Sequence, residues 1–202
     1  MGREIEIKIP LEHTEYQSIF SLIQGQLTVK GIAFSQKTEH ILKSDKYFSR
    51  YKTREERKQN NEPTVIRLRS EQNLDTGTKE SFFCIKTKTV ENGIELNRED
   101  ETIVKDETVL ERLFETTGFI KYFEKQKDAF STYCSLDGSD INFHLELEKV
   151  NNLEYVEIEV TDSALPADEV RAGLEKLVAG LGLDASKKDS RSWMDIVQQN
   201  KE

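Results

Sequence analysis

The sequence predicts an α+β fold in which an antiparallel β-sheet closes into a barrel with a charged lumen and helices packed outside. Charged residues recur two positions apart, as at Arg67 and Arg69 or Glu157 and Glu159, and the positions between them are mostly apolar, as in EIEIKI at residues 4–9. Successive strand side chains point to opposite faces, so each pair lines one face with its members about 7 Å apart. Helical patterns are few and widely separated. If helices cover the apolar faces from outside, the charged faces must converge inside.

The elements of the first half follow from the spacing of apolar residues. EIEIKI predicts a first strand that ends at Pro10, and apolar residues from Tyr16 onward are spaced as in a helix that ends near Gly25. Residues 34–48 have an extended pattern. The stretch RYKTREERKQNNEP at residues 50–63 is too polar to bury and predicts a long exposed loop with solvated basic residues, whose role the sequence leaves open.

Hairpins dominate the second half of the chain. TVIRLRS, SFFCIKTKTV and IELNREDETIV are strand patterns separated by the turn sequences NLDTGT and ENG. Helical spacing over residues 107–117 is closed by Gly118, and two further hairpins turn at DGSD and NNLE. A last long helix is predicted from Pro166 to about Leu181, with one apolar face.

The composition restricts the classes of function. The chain has 202 residues, 36% hydrophobic and 33% charged, which predicts a single domain over residues 1–202. A net charge of -9 argues against nucleic acid or membrane lipid as partners and favours metal cations. The N-terminal residues lack a signal-peptide pattern, so a cytoplasmic location is expected, and a homodimer is compatible with the sequence. Cys84 and Cys134 are predicted to be buried free thiols.

The charge pairs are sorted by sign. For any single pair a solvated sheet face is the simpler explanation, but such faces usually mix signs and neutral polar residues. Like charges on one face repel each other unless a ligand of opposite sign lies between them. The basic pairs therefore suggest a polyanion and the acidic pairs a divalent cation, as in a nucleoside triphosphate or polyphosphate with bound magnesium.

Short charged motifs follow one another along the chain in a defined order. They are ExExK at Glu4, Glu6 and Lys8; DxYF at Asp45, Tyr47 and Phe48; RxR at Arg67 and Arg69; KxK at Lys86 and Lys88; and a final ExE at Glu157 and Glu159. This ordered series resembles the CYTH family, the class IV adenylate cyclase and thiamine triphosphatase group also called triphosphate tunnel metalloenzymes. The resemblance covers nearly the whole chain.

The resemblance implies an eight-stranded barrel, two metal ions (Mg²⁺ or Mn²⁺) and a triphosphate in the lumen. The implied metal ligands are Glu4, Glu6, Glu157, Glu159 and Glu148, the last in place of the family's usual Asp. The implied triphosphate-binding residues are Lys8, Arg67, Arg69, Lys86, Lys88, Lys125 and Lys127. Glu99, Glu101 and Glu146 are expected as additional lumen residues. Lys8 is the candidate catalytic residue, either as an acid or base whose pKa neighbouring cations depress or as a counter-charge for the leaving group.

The expected reaction is that of a class IV adenylate cyclase, which converts ATP to cyclic AMP and pyrophosphate. EKQK at residues 124–127 and SRSWMDIV at residues 190–197 resemble that branch, although Lys127 replaces an arginine and Trp193 a tyrosine. Inorganic or thiamine triphosphatase activity is the alternative, and a non-catalytic polyphosphate or nucleotide binder is a weaker one. His13 and His144 lack the spacing of zinc ligands. His40, near the DxYF segment, is as consistent with a satisfied polar residue as with a nucleotide contact. Tyr47 and Phe48 are expected in the core or at the rim.

Overall fold

Eight antiparallel strands form a closed barrel, as the sequence predicts. The computed structural model describes residues 2–60, 62, 64–161 and 163–200. Around the barrel the strands follow the order β1-β5-β4-β3-β2-β6-β7-β8, and β8 pairs with β1 to close it. The strands are β1 (Gly2–Pro10), β2 (Ile32–Ser49), β3 (Thr64–Asn73), β4 (Lys79–Glu91), β5 (Ile94–Ile103), β6 (Ile120–Leu136), β7 (Asn142–Val150) and β8 (Leu153–Thr161).

The helices lie outside the barrel, and all but the short second one pack on its apolar face. They are α1 (His13–Ile23), α2 (Arg54–Gln59), α3 (Glu107–Thr116), α4 (Ala167–Gly180) and α5 (Trp193–Gln199), with a 3₁₀ turn at Ala185–Lys187. The helices α1, α3 and α4 lie where the periodicity predicts them. None of the helices formed by the described residues is both long enough and apolar enough to cross a membrane.

The largest core lies between the barrel wall and helices α1 and α4. Ile5, Ile7 and Ile9 of β1 are fully buried there, together with Leu174 and Leu177 of α4. Their neighbours Glu4, Glu6 and Lys8 point the other way, into the lumen. Burial of the aliphatic face therefore fixes the register that places the charges inside, because a slip of one residue would exchange the two faces.

The turn between β4 and β5 has the geometry that its sequence demands. Asn92 and Gly93 have φ values of 55° and 76°, which place both residues in the left-handed region. A two-residue hairpin loop with positive φ at both positions matches the twist of the strands it joins. This turn brings the charged faces of β4 and β5 into register, with Lys86 opposite Glu99.

The prediction for residues 50–63 is wrong in part. The stretch contains α2, and Arg57 of this helix is buried instead of solvated. Its guanidinium donates to Glu62 at 2.8 Å, to the Tyr122 hydroxyl and to the Thr64 carbonyl at 3.2 Å. These partners lie on β3, β6 and the segment after α2, so local composition carried no sign of them. Asn61 and Pro63 of this stretch lie outside the described residues.

The two cysteines are free and buried, as predicted. Cys134 belongs to the core outside the barrel. Cys84 of β4 lies instead on the lumen side, where its Sγ is 3.5 Å from a Glu99 carboxylate oxygen. Burial raises the pKa of each thiol to about 12, so neither is a reactive thiolate near neutral pH.

Candidate active site in the barrel lumen

The charged faces of the strands enclose a cavity of about 480 Å³. Among the described residues, nine cationic and nine acidic side chains line it. All the site residues predicted from the sequence are in this lining except Glu148, which is fully buried beneath it: Glu4, Glu6, Lys8, Arg67, Arg69, Lys86, Lys88, Glu99, Glu101, Lys125, Lys127, Glu146, Glu157 and Glu159. Because the lining is balanced in charge, a bound triphosphate would make the site as a whole net negative. Divalent cations bound with the triphosphate would offset this negative charge.

Three carboxylates converge on one side of the lumen and form what we call the first triad: Glu4, Glu6 and Glu159. One oxygen from each lies within 4.8 Å of the others. Lys86 approaches from β4, with its Nζ 3.2 Å from Glu4 and 3.6 Å from Glu6. Strands β1 and β8 pair directly, with Glu6 opposite Glu159, so the register alone brings these groups together.

Crowding of the first triad pushes the pKa values of its members apart. Burial raises the pKa of Glu4 well above its usual value against the pull of Lys86, and a hydrogen bond to Glu159 adds to this rise. Burial together with the charges of Glu95 and Glu157 raises the pKa of Glu6 to about 7. Glu159 is also buried, but hydrogen bonds from His144 and Glu4 overcome that effect and lower its pKa to about 2. The triad therefore retains protons at a pH where exposed glutamates have lost them.

A second triad consists of Glu146, Glu148 and Glu157. It differs from the first in having two buried lysines as close partners. Lys43 pairs with Glu146, while Lys127 pairs with Glu148 and lies 2.7 Å from Glu157. Burial and the charge of Glu157 raise the pKa of Glu148. Lysine charge already offsets much of the charge of this triad.

The chemistry of both triads fits a hard divalent cation. Each offers carboxylate oxygens, the ligands that Mg²⁺ and Mn²⁺ prefer. A cation bound at the first triad would offset the burial and the repulsion that raise the pKa values of Glu4 and Glu6. Of the two, the first triad fits better, because Lys86 is the one lysine within 4 Å of its carboxylates among the side chains that the structure describes, whereas two lysines pair with the second triad.

The basic side of the lumen is organised by Asp45, which is fully buried. The Arg69 guanidinium grips it with two hydrogen bonds of 2.7 and 3.0 Å, and the Lys125 Nζ lies 3.0 Å from it. Burial alone would raise the pKa of Asp45, but Arg69, Lys125 and Arg67 outweigh burial and hold it well below its usual value. Asp45 therefore fixes the positions of two cations that the sequence predicts to bind phosphate.

The guanidinium of Arg67 makes only some of the hydrogen bonds that it can donate. Its terminal nitrogen donates to Glu101 at 3.2 Å, whereas its Nε is buried and has no hydrogen-bond partner among the residues that the structure describes. Glu99 lies 2.6 Å from the Lys86 Nζ. The predicted additional residues Glu99 and Glu101 thus act as counter-charges to the basic side chains in this structure. An anion in the lumen could accept the free Nε–H of Arg67.

Lys8 and Lys88 are held by the segment before α5. The Lys8 Nζ donates to the Arg191 carbonyl at 2.8 Å and lies 3.6 Å from Glu95. Lys88 donates to the Ser190 carbonyl at 3.1 Å and also pairs with Glu95. Lys8 therefore has an acidic neighbour as well as basic ones, and its proton-transfer role stays a prediction. The cationic crowding invoked for Lys8 occurs at Lys125, where burial and Lys127 lower the pKa to about 7 although Asp45 opposes them.

Trp193, the first residue of α5, lies against the lumen residues near one end of the barrel. Its indole Nε1 donates to Glu157 at 2.7 Å. Lys8, Lys125 and Lys127 lie over its ring, with each Nζ 5.1–5.7 Å from the ring centroid. The negative face of an indole attracts cations at this distance. Ser192 caps the helix by accepting from the Asp195 backbone N–H, and this cap sets the position of the ring.

Several lumen residues were missed in the sequence. Lys43 lies two residues before Asp45 of the DxYF motif, and Glu95 is in phase with Glu99, so strand periodicity could have found both. His144 is likewise in phase with Glu146. Asp45 belongs to the predicted motif series, but its contacts with Arg69 and Lys125 were not predicted. Arg57 and Glu62 also line the cavity, but no local signal indicates this because their positions depend on the packing of α2. Tyr47 lines the lumen, whereas Phe48 is buried in a small core outside the barrel.

No protein-family model matches the chain, and no curated protein matches it by sequence. Solved structures do share its fold. The PH1819 protein of Pyrococcus horikoshii is 18% identical with a TM-score of 0.70, and the alignment covers 98% of this chain and 99% of that one. A proposed adenylate cyclase from Vibrio parahaemolyticus is 17% identical with a TM-score of 0.64, over 96% and 97% of the two chains.

A second proposed adenylate cyclase, from Bacillus halodurans, is 12% identical with a TM-score of 0.54 over the whole of both chains. At these identities the similarity establishes the fold. The fold expected from the motif series is therefore confirmed.

Replacing Asp45 with alanine should lower the free energy of unfolding by about 3–5 kcal/mol, because Arg69 and Lys125 would remain buried without their partner. Urea denaturation at neutral pH measures this change. The matched control is Glu124→Ala, which breaks the exposed pair with Lys121 and should cost less than about 1 kcal/mol. Equal losses for the two variants would show that Asp45 does not hold the basic side of the lumen together.

Replacing Glu6 with glutamine should stabilise the protein in EDTA, and the gain should depend on pH. The folded pKa of about 7 exceeds the ordinary value of 4.5, so the unfolded chain releases this proton first and stability falls between these pH values. The gain of Glu6→Gln over wild type should be absent below pH 4.5, grow up to pH 7 and then stay constant. Denaturation curves across this range test it, with exposed Glu115→Gln as the control. A gain independent of pH would contradict the raised pKa.

Proposed function

We propose that this chain is a metal-dependent enzyme that acts on a nucleoside triphosphate bound in the lumen, with a class IV adenylate cyclase-like reaction as the first candidate. The observation that carries this proposal is that basic side chains and clusters of carboxylates line the same cavity. Arginines and lysines suited to a phosphate chain lie within a few ångströms of two carboxylate triads suited to divalent cations. Few ligands other than a metal-bound polyphosphate use both halves of such a site.

The arginines and the lysines would contribute to phosphate binding in different ways. Arg67 and Arg69 would offer planar donors to phosphate oxygens, and Lys86, Lys125 and Lys127 would add point charges. Mg²⁺ or Mn²⁺ held by Glu4, Glu6 and Glu159, with the second triad as a further candidate site, would supply Lewis-acid stabilisation of charge on the phosphate oxygens. Lys8 would either neutralise charge on the leaving group or transfer a proton.

Aromatic lining favours a nucleotide over inorganic tripolyphosphate. Tyr47, Tyr122 and Phe123 line the same cavity as the basic residues, and the Tyr47 ring lies 5.5 Å from that of Phe123 and 6.4 Å from that of Tyr122. Rings of this kind can stack on a base. In a cyclase the 3′-hydroxyl of ATP attacks the α-phosphorus and pyrophosphate leaves, so the base and ribose must be held as firmly as the phosphates.

Hydrolysis of the terminal phosphate is the second candidate, with inorganic tripolyphosphate or thiamine triphosphate as substrate. The same basic residues and triads would serve it, since a water molecule would replace the ribose hydroxyl as nucleophile. A binder without catalysis is the third candidate. A binder could have the same charged lining as an enzyme, so only a measurement of turnover separates this candidate from the other two.

Product analysis by phosphorus NMR tests these candidates. ATP, tripolyphosphate and thiamine triphosphate are each incubated with the protein and Mg²⁺ or Mn²⁺. Cyclic AMP with pyrophosphate from ATP is the expected result. Orthophosphate release would instead identify a triphosphatase, and binding without turnover of any of the three substrates would contradict an enzyme of either kind.

Replacing Glu157 and Glu159 with glutamine should abolish metal-dependent turnover while leaving the fold intact, because glutamine keeps the shape of the side chain but loses its charge. Turnover at saturating Mn²⁺ and the urea midpoint are measured together. Glu154 lies on the same strand and pairs with His13 outside the barrel, so Glu154→Gln is the matched control and should stay active. Retained turnover in the double variant would contradict the assignment of these two residues as ligands.

Replacing Arg67 with alanine should weaken binding of tripolyphosphate about 10-fold to 100-fold, the usual value of a charged hydrogen bond. Binding of orthophosphate should weaken much less. Trp193 is the only tryptophan in the sequence and touches three lumen lysines, so its fluorescence should report binding directly. Lys121→Ala removes an exposed cation and serves as the control. Equal losses for the two anions would argue against a place for Arg67 on the phosphate chain.

A further inference from the structure

We infer that His144 is a positioning residue for the first triad: its imidazole fixes the Glu159 carboxylate in the orientation that receives a divalent cation. This inference rests on the proposed metal-dependent function. His144 lies on β7 directly opposite Glu159 of β8, and its Nδ1 is 2.8 Å from a Glu159 oxygen. On the other side of the ring, its Nε2 is 2.7 Å from the hydroxyl oxygen of Ser131 on β6.

The hydrogen-bonding partners dictate which ring nitrogen carries a proton. An ionised carboxylate can only accept, so Nδ1 must donate to Glu159. The Ser131 hydroxyl can donate or accept and therefore adapts to whatever Nε2 presents. The chain Ser131–His144–Glu159 thus has a defined direction at its carboxylate end, where one N–H points at one oxygen.

The ring has little freedom to leave this orientation. Ser131 is buried, and the His144 side chain is 19% exposed. The ring of Tyr133 lies 5.0 Å from that of His144 at a tilted angle, and so limits rotation from the side. A carboxylate held at one oxygen by a fixed N–H keeps its remaining acceptor positions for Glu4 and for a cation.

His144 also lies between the two triads. Its Nε2 is 3.9 Å from a Glu146 oxygen of the second triad, and Glu146 is itself paired with Lys43. The imidazole therefore lies close to one carboxylate of each triad, Glu159 on the paired strand and Glu146 two residues along its own strand. Partners of metal ligands that act in this way typically change metal affinity by about 10-fold to 100-fold when they are removed.

Two isosteric substitutions separate the roles of the ring nitrogens. The amide nitrogen of asparagine can occupy the place of Nδ1, so His144→Asn keeps a donor for Glu159. The amide of glutamine reaches the place of Nε2, so His144→Gln keeps a partner for Ser131 and loses the donor to Glu159. Mn²⁺ titration of the protein without nucleotide, by calorimetry or by electron paramagnetic resonance of free Mn²⁺, measures the affinity of each.

We expect His144→Asn to bind Mn²⁺ within about 3-fold of wild type and His144→Gln to bind it about 10-fold to 100-fold more weakly. His13→Gln is the matched control, because His13 pairs with Glu154 outside the barrel and should leave the affinity unchanged. Urea midpoints of all variants confirm that the fold is retained. Equal affinities for the Asn and Gln variants, whether both high or both low, would overturn the inference.

A second measurement needs no metal. Nitrogen NMR of the three imidazoles, one of which disappears in His144→Gln, should show a proton on Nδ1 of His144, and a proton on Nε2 alone would overturn the inference. The two proposals also fail differently. If wild type binds Mn²⁺ and both variants match it, only the role of His144 falls; if wild type binds no Mn²⁺, the metal-dependent function and this inference fall together.

Discussion

The cost of removing charges from bulk water governs the interior of this barrel. Isolated charges are expensive to bury, so each must find an opposite charge or give up its ionisation. The lumen does both. Lys127 lies between Glu148 and Glu157, Arg69 binds Asp45, and burial raises the pKa of Glu4 well above its usual value. The balance of nine cationic and nine acidic groups in the described lining is therefore a condition of folding as well as a feature of the site.

The same balance means that a ligand enters a site whose charges already have partners. A phosphate that recruits Lys86 must draw it from Glu4, Glu6 and Glu99, and the carboxylates it leaves become better ligands for a cation. Binding of the anion and of the metal should therefore assist each other, since each relieves the groups that the other leaves unpaired. This exchange should cost least at the first triad, where Lys86 is the one paired lysine among the described side chains.

The sequence predicted much of this structure, for a clear physical reason. Alternation along single strands is local information, and it was enough to give the barrel, its charged interior and the side on which Glu4, Glu6 and Lys8 lie. Which charges meet depends on the pairing register of distant strands, and one strand cannot show this. Three features depend on this register and were not predicted. They are the contacts of buried Asp45 with Arg69 and Lys125, the division of the carboxylates into two triads, and the hydrogen-bonded chain Ser131–His144–Glu159. The burial of Arg57 and the position of Trp193 depend on how the helices pack. The polar composition around Arg57 led to the wrong prediction that this side chain is solvated.

The strand order requires the first strand to wait for its pairing partners during synthesis. β1 lies between β5 and β8, so its two neighbours are made about 90 and 150 residues after it. Contacts so distant in sequence are slow to form, and a strand awaiting them exposes both its aliphatic face and its hydrogen-bonding edges. The alternating glutamates of GREIEIKIP would keep that waiting segment hydrated and discourage it from pairing with other copies, since charge on an unpaired strand is a common defence against aggregation. Residues proposed to bind metal in the folded protein would thus have an earlier role, in keeping the newly synthesised chain from aggregating before the barrel forms.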